Sequence, residues 1–260
     1  NRRRVCHRHA RLRPDQRAVG VGVLTRSRGE FDDTIQTSTR YLTLYPGTPD
    51  AAYAQYLMAQ SYFKQIPDVT RETPTIAVNR VAIVGAGTMG GGIAMACANA
   101  GIEVRLRDAT AAGLEAGMNA VRRNYAASVK RGRMTEAAVA ERMARIQPQL
   151  DAAGFDEADL VIEAVFENME LKRKIFAELN QVTRPGCVLA TNTSTLDIDI
   201  FAKSSGRPGQ VIGHHFFSPA NIMKLLEIVR GRETSPSVIA TSVKLGKRLA
   251  KVPVVVGNCF

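Results

Sequence analysis

The sequence predicts an α/β fold, a doubly wound and mostly parallel sheet preceded by a short α-helical segment. Two observations point to it. From Arg80 onward, short apolar runs alternate with stretches of helical spacing, as strand–helix–strand units require. The first of those runs feeds directly into a glycine-rich turn that opens a helix. Ahead of this body the pattern is helical only, and a polar stretch with two prolines separates the two regions.

The chain begins with a basic zone. Of the formal net charge of +11, residues 1–28 supply +8 through nine arginines and one acid, Asp15, which leaves +3 for residues 29–260. An unpatterned run of like charge is expected to stay solvated and disordered. Because the body is nearly balanced, nucleic acid is not expected as a partner. No apolar run approaches the roughly 20 residues that span a bilayer, so no membrane partner is expected either. Cys6, Cys97, Cys187 and Cys259 form no CxxC pair. That spacing offers neither a zinc site nor a disulfide framework, so no metal is expected and a reducing, cytoplasmic setting is.

Residues 29–66 read as a helix, a turn and a helix. Phe31, Ile35, Tyr41 and Leu44 precede Pro46-Gly47, and Ala54, Leu57, Met58 and Tyr62 follow it at helical spacing. The run YLTLYPGTPDAAYAQYLMAQSYF resembles a tetratricopeptide-repeat segment of the bacterial outer-membrane assembly lipoproteins. Fewer than two whole repeats are present, and solenoid units need neighbours to bury their faces, so a working scaffold is not expected. Residues 67–79 read as a linker.

Val81-Ala-Ile-Val84 suits a strand buried on both faces. It leads into Gly85-Ala-Gly87-Thr88-Met89-Gly90, and a helical stretch then runs to Ala100 and closes at Gly101. This is G-x-G-x-x-G in its strand–turn–helix setting, the Rossmann-type fingerprint. Gly85 permits the tight turn, Gly87 admits the pyrophosphate to the backbone, and Gly90 lets helix and strand pack closely. The next strand, Ile102 to Leu106, ends at Asp108, 23 residues after Gly85. An acid there accepts from ribose hydroxyls and repels a 2′-phosphate, which favours NAD over NADP. Arg105 and Arg107 flank that acid and keep the alternative open.

Three further strands end in polar clusters: Asp159 to Glu163, running on to Glu167 and Asn168; Cys187 to Asn192, running on to Ser194; and Gln210 through His214 and His215 to Ser218-Pro219. Ligands of an open α/β sheet sit beyond the carboxyl ends of its strands, where all three clusters fall. Side chains alternate along a strand, so only one of His214 and His215 faces the cleft.

GAGTMGGGIA, EAVFEN, the NTS of ATNTST, and GHHFFSP followed by KLLEIV resemble, in order and spacing, the successive motifs of the 3-hydroxyacyl-CoA dehydrogenases. The likeness covers residues 80 to 258. It implies NAD as cofactor, an acyl-CoA substrate and hydride transfer at the 3-hydroxyl carbon, as in fatty-acid β-oxidation. By position, His215 matches the family's base, Glu227 the carboxylate that orients it, and Ser194 the hydroxyl that binds the substrate oxygen beside the nicotinamide. Gly85, Gly87, Thr88, Met89, Gly90, Asp108, Val165, Glu167 and Lys172 match cofactor contacts. Ser218 stands where the family usually has Asn, a shorter side chain for a cofactor or substrate contact. The sequence stops at Gly257-Asn-Cys-Phe260, so this reading expects a domain cut before the family's C-terminal helical domain. Impaired activity follows from it, with a homodimer only where that domain is restored. The alternative is an NAD-binding module on a helical-repeat scaffold, without catalysis; a join of two unrelated segments is a further one.

Overall fold

The computed structural model describes residues 31–65 and 73–258. The expected disorder of residues 1–28 lies outside the described residues. The chain divides after Asp68 into two units.

The first unit contains α1 (Phe31–Leu44) and α2 (Ala51–Gln65). Tyr41, Ala51 and Ala54 form its buried apolar cluster, and the Tyr41 hydroxyl lies 2.6 Å from Thr48 Oγ1, which ties α1 to the turn at Pro46-Gly47. The helix pair itself matches the spacing of the apolar residues. The repeat reading does not hold, because a single pair is present among the described residues and shows no clear repeat motif. Thr34 and Ser38 are buried on α1 along with Tyr41.

The second unit is built on eight strands. They are β1 (Arg80–Val84), β2 (Glu103–Arg107), β3 (Ile146–Gln149), β4 (Leu160–Glu163), β5 (Val188–Thr191), β6 (Val211–Phe216), β7 (Leu225–Arg230) and β8 (Val252–Gly257). The sheet order is β3-β2-β1-β4-β5-β6-β7-β8. Every neighbouring pair is parallel except the antiparallel pair of β6 and β7. The order reverses between β1 and β4, which opens a crevice above their carboxyl ends.

Helices cover both faces. α3 (Thr88–Asn99), α4 (Ala111–Lys130), α5 (Glu136–Ala144) and α8 (Pro236–Arg248) lie on one side; α6 (Met169–Val182) and α7 (Ile198–Ser204) lie on the other. Alternation along β1 sends Val81 and Ile83 into the first layer with Ile93, Val121 and Leu245. It sends Ala82 and Val84 into the second, with Phe176, Leu179 and Phe201. A strand buried on both faces therefore has to be apolar, and β1 is so from Val81 to Val84. Side-chain caps start α4, α5, α6 and α8: Thr110 accepts from Gly113 N, Thr135 from Ala138 N, Asn168 from Leu171 N and Ser235 from Val238 N.

Two features were not anticipated. Between Asp108 and Asp159 the chain makes α4 and α5 and then returns as β3 to extend the sheet beyond β2. Residues 73–79, read as linker, run along α8: Ile76 N donates to Thr241 Oγ1 at 2.9 Å and Ser237 Oγ to the Pro74 carbonyl at 2.8 Å. Val78 is buried in the first layer.

Candidate active site

The glycine-rich turn joins β1 to α3. Gly85 has φ +103°, and a Cβ there would stand 2.7 Å from the Ala164 carbonyl oxygen and 3.2 Å from Val165 Cγ1. Val165 thus lies against the turn. A Cβ on Gly90 would sit 1.7 Å from the Gly85 carbonyl oxygen, so helix and turn are in contact there. Gly87 meets nothing within 4 Å, and as N-cap of α3 it provides no side-chain cap. Thr88 and Gly87 are exposed and Met89 is half-buried. The first-turn N–H groups, open approach and positive dipole end fit the pyrophosphate of a dinucleotide.

Asp108 follows β2 and closes over the turn. Its Oδ2 accepts from Ala86 N at 2.8 Å and its Oδ1 from Thr110 N at 3.2 Å. Each oxygen keeps a lone pair for a ribose hydroxyl. Arg107, which could have served a 2′-phosphate, is instead paired with Glu178 at 2.6 Å. Arg105 faces Gln149 at 3.4 Å and Glu157 at 3.7 Å.

Beyond β4 and β5 a chain of charges organises the second cluster. Glu163, fully buried, accepts from Lys172 Nζ at 2.7 and 2.8 Å, from Val165 N at 2.7 Å and from Thr191 Oγ1 at 2.6 Å. Lys172 also faces Glu167 Oε2 at 3.4 Å. Glu167 Oε1 accepts from the Thr193 hydroxyl, from Ser194 N at 3.1 Å and from Thr195 N at 3.4 Å. Burial pushes the Glu167 carboxyl up, but the Thr193 hydroxyl, Lys172 and those two amides outweigh it and hold it below the usual carboxylate range. Ser194 is left exposed at the tip of that turn. Asn192 Oδ1 accepts from Phe216 N at 2.8 Å, which ties the end of β5 to the end of β6.

On β6 the two histidines part. His214 is fully buried, with Nε2 2.8 Å from Ser242 Oγ, and burial lowers its pKa to about 4. His215 pairs directly across the antiparallel ladder with Glu227, and its Nδ1 lies 2.8 Å from Glu227 Oε2. The Phe217 ring packs on the imidazole at a centroid distance of 4.5 Å. Ser218 is exposed just past the strand. The structure therefore brings together His215 with Glu227, Ser194 with Glu167 and Lys172, and Asp108 with the glycine turn. All three groups stand at one edge of the sheet, because β1, β2, β4, β5 and β6 run the same way. Among the expected cofactor contacts, Lys172 has a side chain that is 1% exposed and faces carboxylates.

Sequence reasoning placed Glu163, Asn192 and Thr193 in polar clusters at this edge but gave no role to them or to Phe217. Glu163 and Thr193 were inside quoted motifs, but apolar strand patterns give no sign that an acid at a strand end turns inward to meet a lysine nine residues on.

Residues 80–259 match the family model described as 3-hydroxyacyl-CoA dehydrogenase, NAD binding domain. The glyoxysomal fatty acid beta-oxidation multifunctional protein MFP-a of Brassica napus is 38% identical over 243 residues, 93% of this chain and 33% of that protein. The peroxisomal fatty acid beta-oxidation multifunctional protein of Oryza sativa subsp. japonica is 40% identical over 219 residues, 84% of this chain and 30% of that protein. The crystal structure of (S)-3-hydroxybutyryl-CoA dehydrogenase from Ralstonia eutropha superposes with a TM-score of 0.69 at 37% identity, covering 70% of this chain and 65% of that one. The chain thus spans about a third of the length of these curated relatives. Two expectations are corrected. The matched family begins at residue 80 and no tetratricopeptide or outer-membrane lipoprotein signature accompanies it, so that likeness of residues 29–66 is withdrawn. The cytoplasmic setting is overturned by relatives named as glyoxysomal and peroxisomal, and widely spaced cysteines do not distinguish one reducing compartment from another.

Proposed function

The chain belongs to the 3-hydroxyacyl-CoA dehydrogenase family through its NAD-binding domain, and we propose that it takes part in hydride transfer between an L-3-hydroxyacyl-CoA and NAD, the dehydrogenase step of fatty-acid β-oxidation. One observation carries the proposal: the His215–Glu227 pair, held in register across β6 and β7 at the same edge as the dinucleotide turn. Glu227 takes the Nδ1 proton side of the imidazole, so Nε2 keeps its lone pair and accepts the 3-hydroxyl proton. As the imidazolium forms, the same carboxylate balances its charge, the orienting role of a triad acid without a nucleophile. The Ser194 hydroxyl donates to the 3-oxygen. NAD, when bound, takes the hydride from C3. Gly85, Gly87, Thr88, Met89 and Gly90 would form the turn that receives its pyrophosphate, Asp108 would hold its adenosine ribose, and Val165, Glu167 and Ser218 would line the path between.

The test is NADH consumption with acetoacetyl-CoA, the reverse reaction. His215→Ala is expected to lower turnover by about 10²-fold or more while NADH affinity stays within about twofold. If His214→Ala removed turnover and His215→Ala did not, the assignment of the base would be wrong. A chain that binds NADH but does not oxidise it with acetoacetyl-CoA would limit the proposal to cofactor binding.

A further inference from the structure

β6 ends at Phe216 and β7 begins at Leu225, so residues 217–224 close the hairpin that carries His215 on one limb and Glu227 on the other. Lys251 ties that loop. α8 is followed by Ala250 at φ 55°, where Ala250 N donates to the Lys247 carbonyl at 3.0 Å and Lys251 N to the Gly246 carbonyl at 2.9 Å. A residue other than glycine rarely takes that left-handed position, and here it brings Lys251 to the start of β8, at the ligand edge. Lys251 is 8% exposed. Its Nζ donates to the Ala220 carbonyl at 2.5 Å and to the Met223 carbonyl at 2.6 Å, one on each side of the loop's tip. It makes no ion pair among the described residues. Burial, together with the like charge of Lys224, holds its pKa below the usual lysine range. The loop also rests on α3, since a Cβ on Gly92 would stand 3.1 Å from Ala220 Cβ and 3.3 Å from Ala220 N.

We infer that Lys251 is a positioning residue whose ammonium sets the shape of the β6–β7 loop and so the place of Ser218 at the site. A buried ammonium without an acid is costly, and two carbonyl dipoles offset that cost only in part. What the lysine supplies is geometry, because the Ala220 and Met223 carbonyls are drawn to a single atom. Within the same span the Pro219 carbonyl accepts from Ile222 N and Met223 N, each at 2.9 Å. Ser218 directly precedes this braced segment, and the segment is seated on the helix that the glycine turn opens. Without the ammonium both carbonyls turn towards water, the segment leaves Gly92, and Ser218 loses its fixed place. The effect on the cofactor rests on the proposed dehydrogenase reading; the order of the loop does not.

Lys251→Met keeps the length of the side chain, removes a buried charge and strands no acid, so the chain is expected to fold. Amide hydrogen exchange of the ligand-free chain is read first. Exchange at Ile222 and Met223 is expected to rise about tenfold, while Ala164 N, which donates to the Val84 carbonyl at 2.8 Å in the middle of the sheet, keeps its rate. Unchanged exchange at Ile222 and Met223, or an equal rise at Ala164, overturns the inference. NADH affinity, read by fluorescence titration, forms the second arm. Lys251→Met is expected to weaken it about fivefold, because the loop must then be ordered on binding. Val78→Ala is the control: it opens a cavity in the same apolar layer at the opposite edge of the sheet, so it lowers the melting midpoint. It is expected to leave NADH affinity within about twofold. An equal loss of affinity in Val78→Ala would make general destabilisation the cause, and unchanged affinity in Lys251→Met would detach the loop from the site; either result overturns the inference. Should the unsubstituted chain fail to bind NADH, the proposed function falls, and exchange at Ile222 and Met223 still decides whether Lys251 orders the loop.

Discussion

His214 and His215 are neighbours on β6 and do opposite things. Ser242 Oγ donates to the Val238 carbonyl at 2.8 Å, so it must accept from His214 Nε2–H. That leaves His214 Nδ1 buried with no partner and the ring neutral. A second proton would have no acceptor, and desolvation lowers the pKa from 6.5 to about 4. In the unfolded chain the ring protonates near pH 6.5, so between about 6.5 and 4 the unfolded state binds more protons and stability falls as pH falls. Above that window both states are neutral and His214 contributes no pH dependence. Urea midpoints measured from pH 7 to 4 are therefore expected to fall less steeply in His214→Asn than in the unsubstituted chain, by up to about 3 kcal/mol over the window. Identical slopes would mean that His214 already finds a proton acceptor. Strand alternation was enough to say that one histidine faces in. It took the family motif to say which, since HH reads the same in either register until Glu227 is placed opposite.

At the scale of the element, the β1–turn–α3 unit was legible because its glycines serve three different needs, and substitutions separate them. Gly87→Ala adds a methyl in open space. It is expected to leave the thermal midpoint within about 2 °C and to weaken NADH binding about tenfold, as the methyl occupies the approach to the backbone. Gly90→Ala drives a methyl into the Gly85 carbonyl. There the backbone itself must move, so a loss of about 3 kcal/mol is expected, together with NADH binding. Equal effects on folding would show that the turn is tolerant and that the glycines are not there for packing. The excursion through α4, α5 and β3 was not read from sequence. α5 buries no residue fully and β3 is a four-residue strand containing Pro148, so neither offers a strong period. The signals that existed were the caps, Thr110 and Thr135, each accepting from an amide three residues on.

For the molecule as a whole, composition drew a boundary at the polar stretch 67–79, while the structure divides the chain after Asp68. The difference lies in residues that look like linker but contribute to a core. Val78 is 6% exposed, and the backbone around it is held by side chains of α8: Arg248 Nη1 donates to the Val78 carbonyl at 2.5 Å, Ser237 to Pro74 and Thr241 accepts from Ile76. Asn79 N and Arg80 N both donate to Asp159 Oδ2, at 2.7 and 2.9 Å, which pins the entry to β1 against β4. Polar composition hides this, because most of the bonds are made by backbone and carry no residue preference. The two boundaries make different predictions for shortened chains. A chain starting at Val69 keeps every one of these contacts and is expected to melt as the second unit does in the full chain, with unchanged NADH affinity. A chain starting at Arg80 loses the burial of Val78 and the bonds to α8. At about 2–3 kcal/mol for the buried side chain and its hydrogen bonds, the melting midpoint is expected to drop by about 5–10 °C. Equal midpoints for the two shortened chains would return residues 73–79 to the role of linker. A loss already seen on starting at Val69 would mean instead that the second unit depends on residues before its boundary.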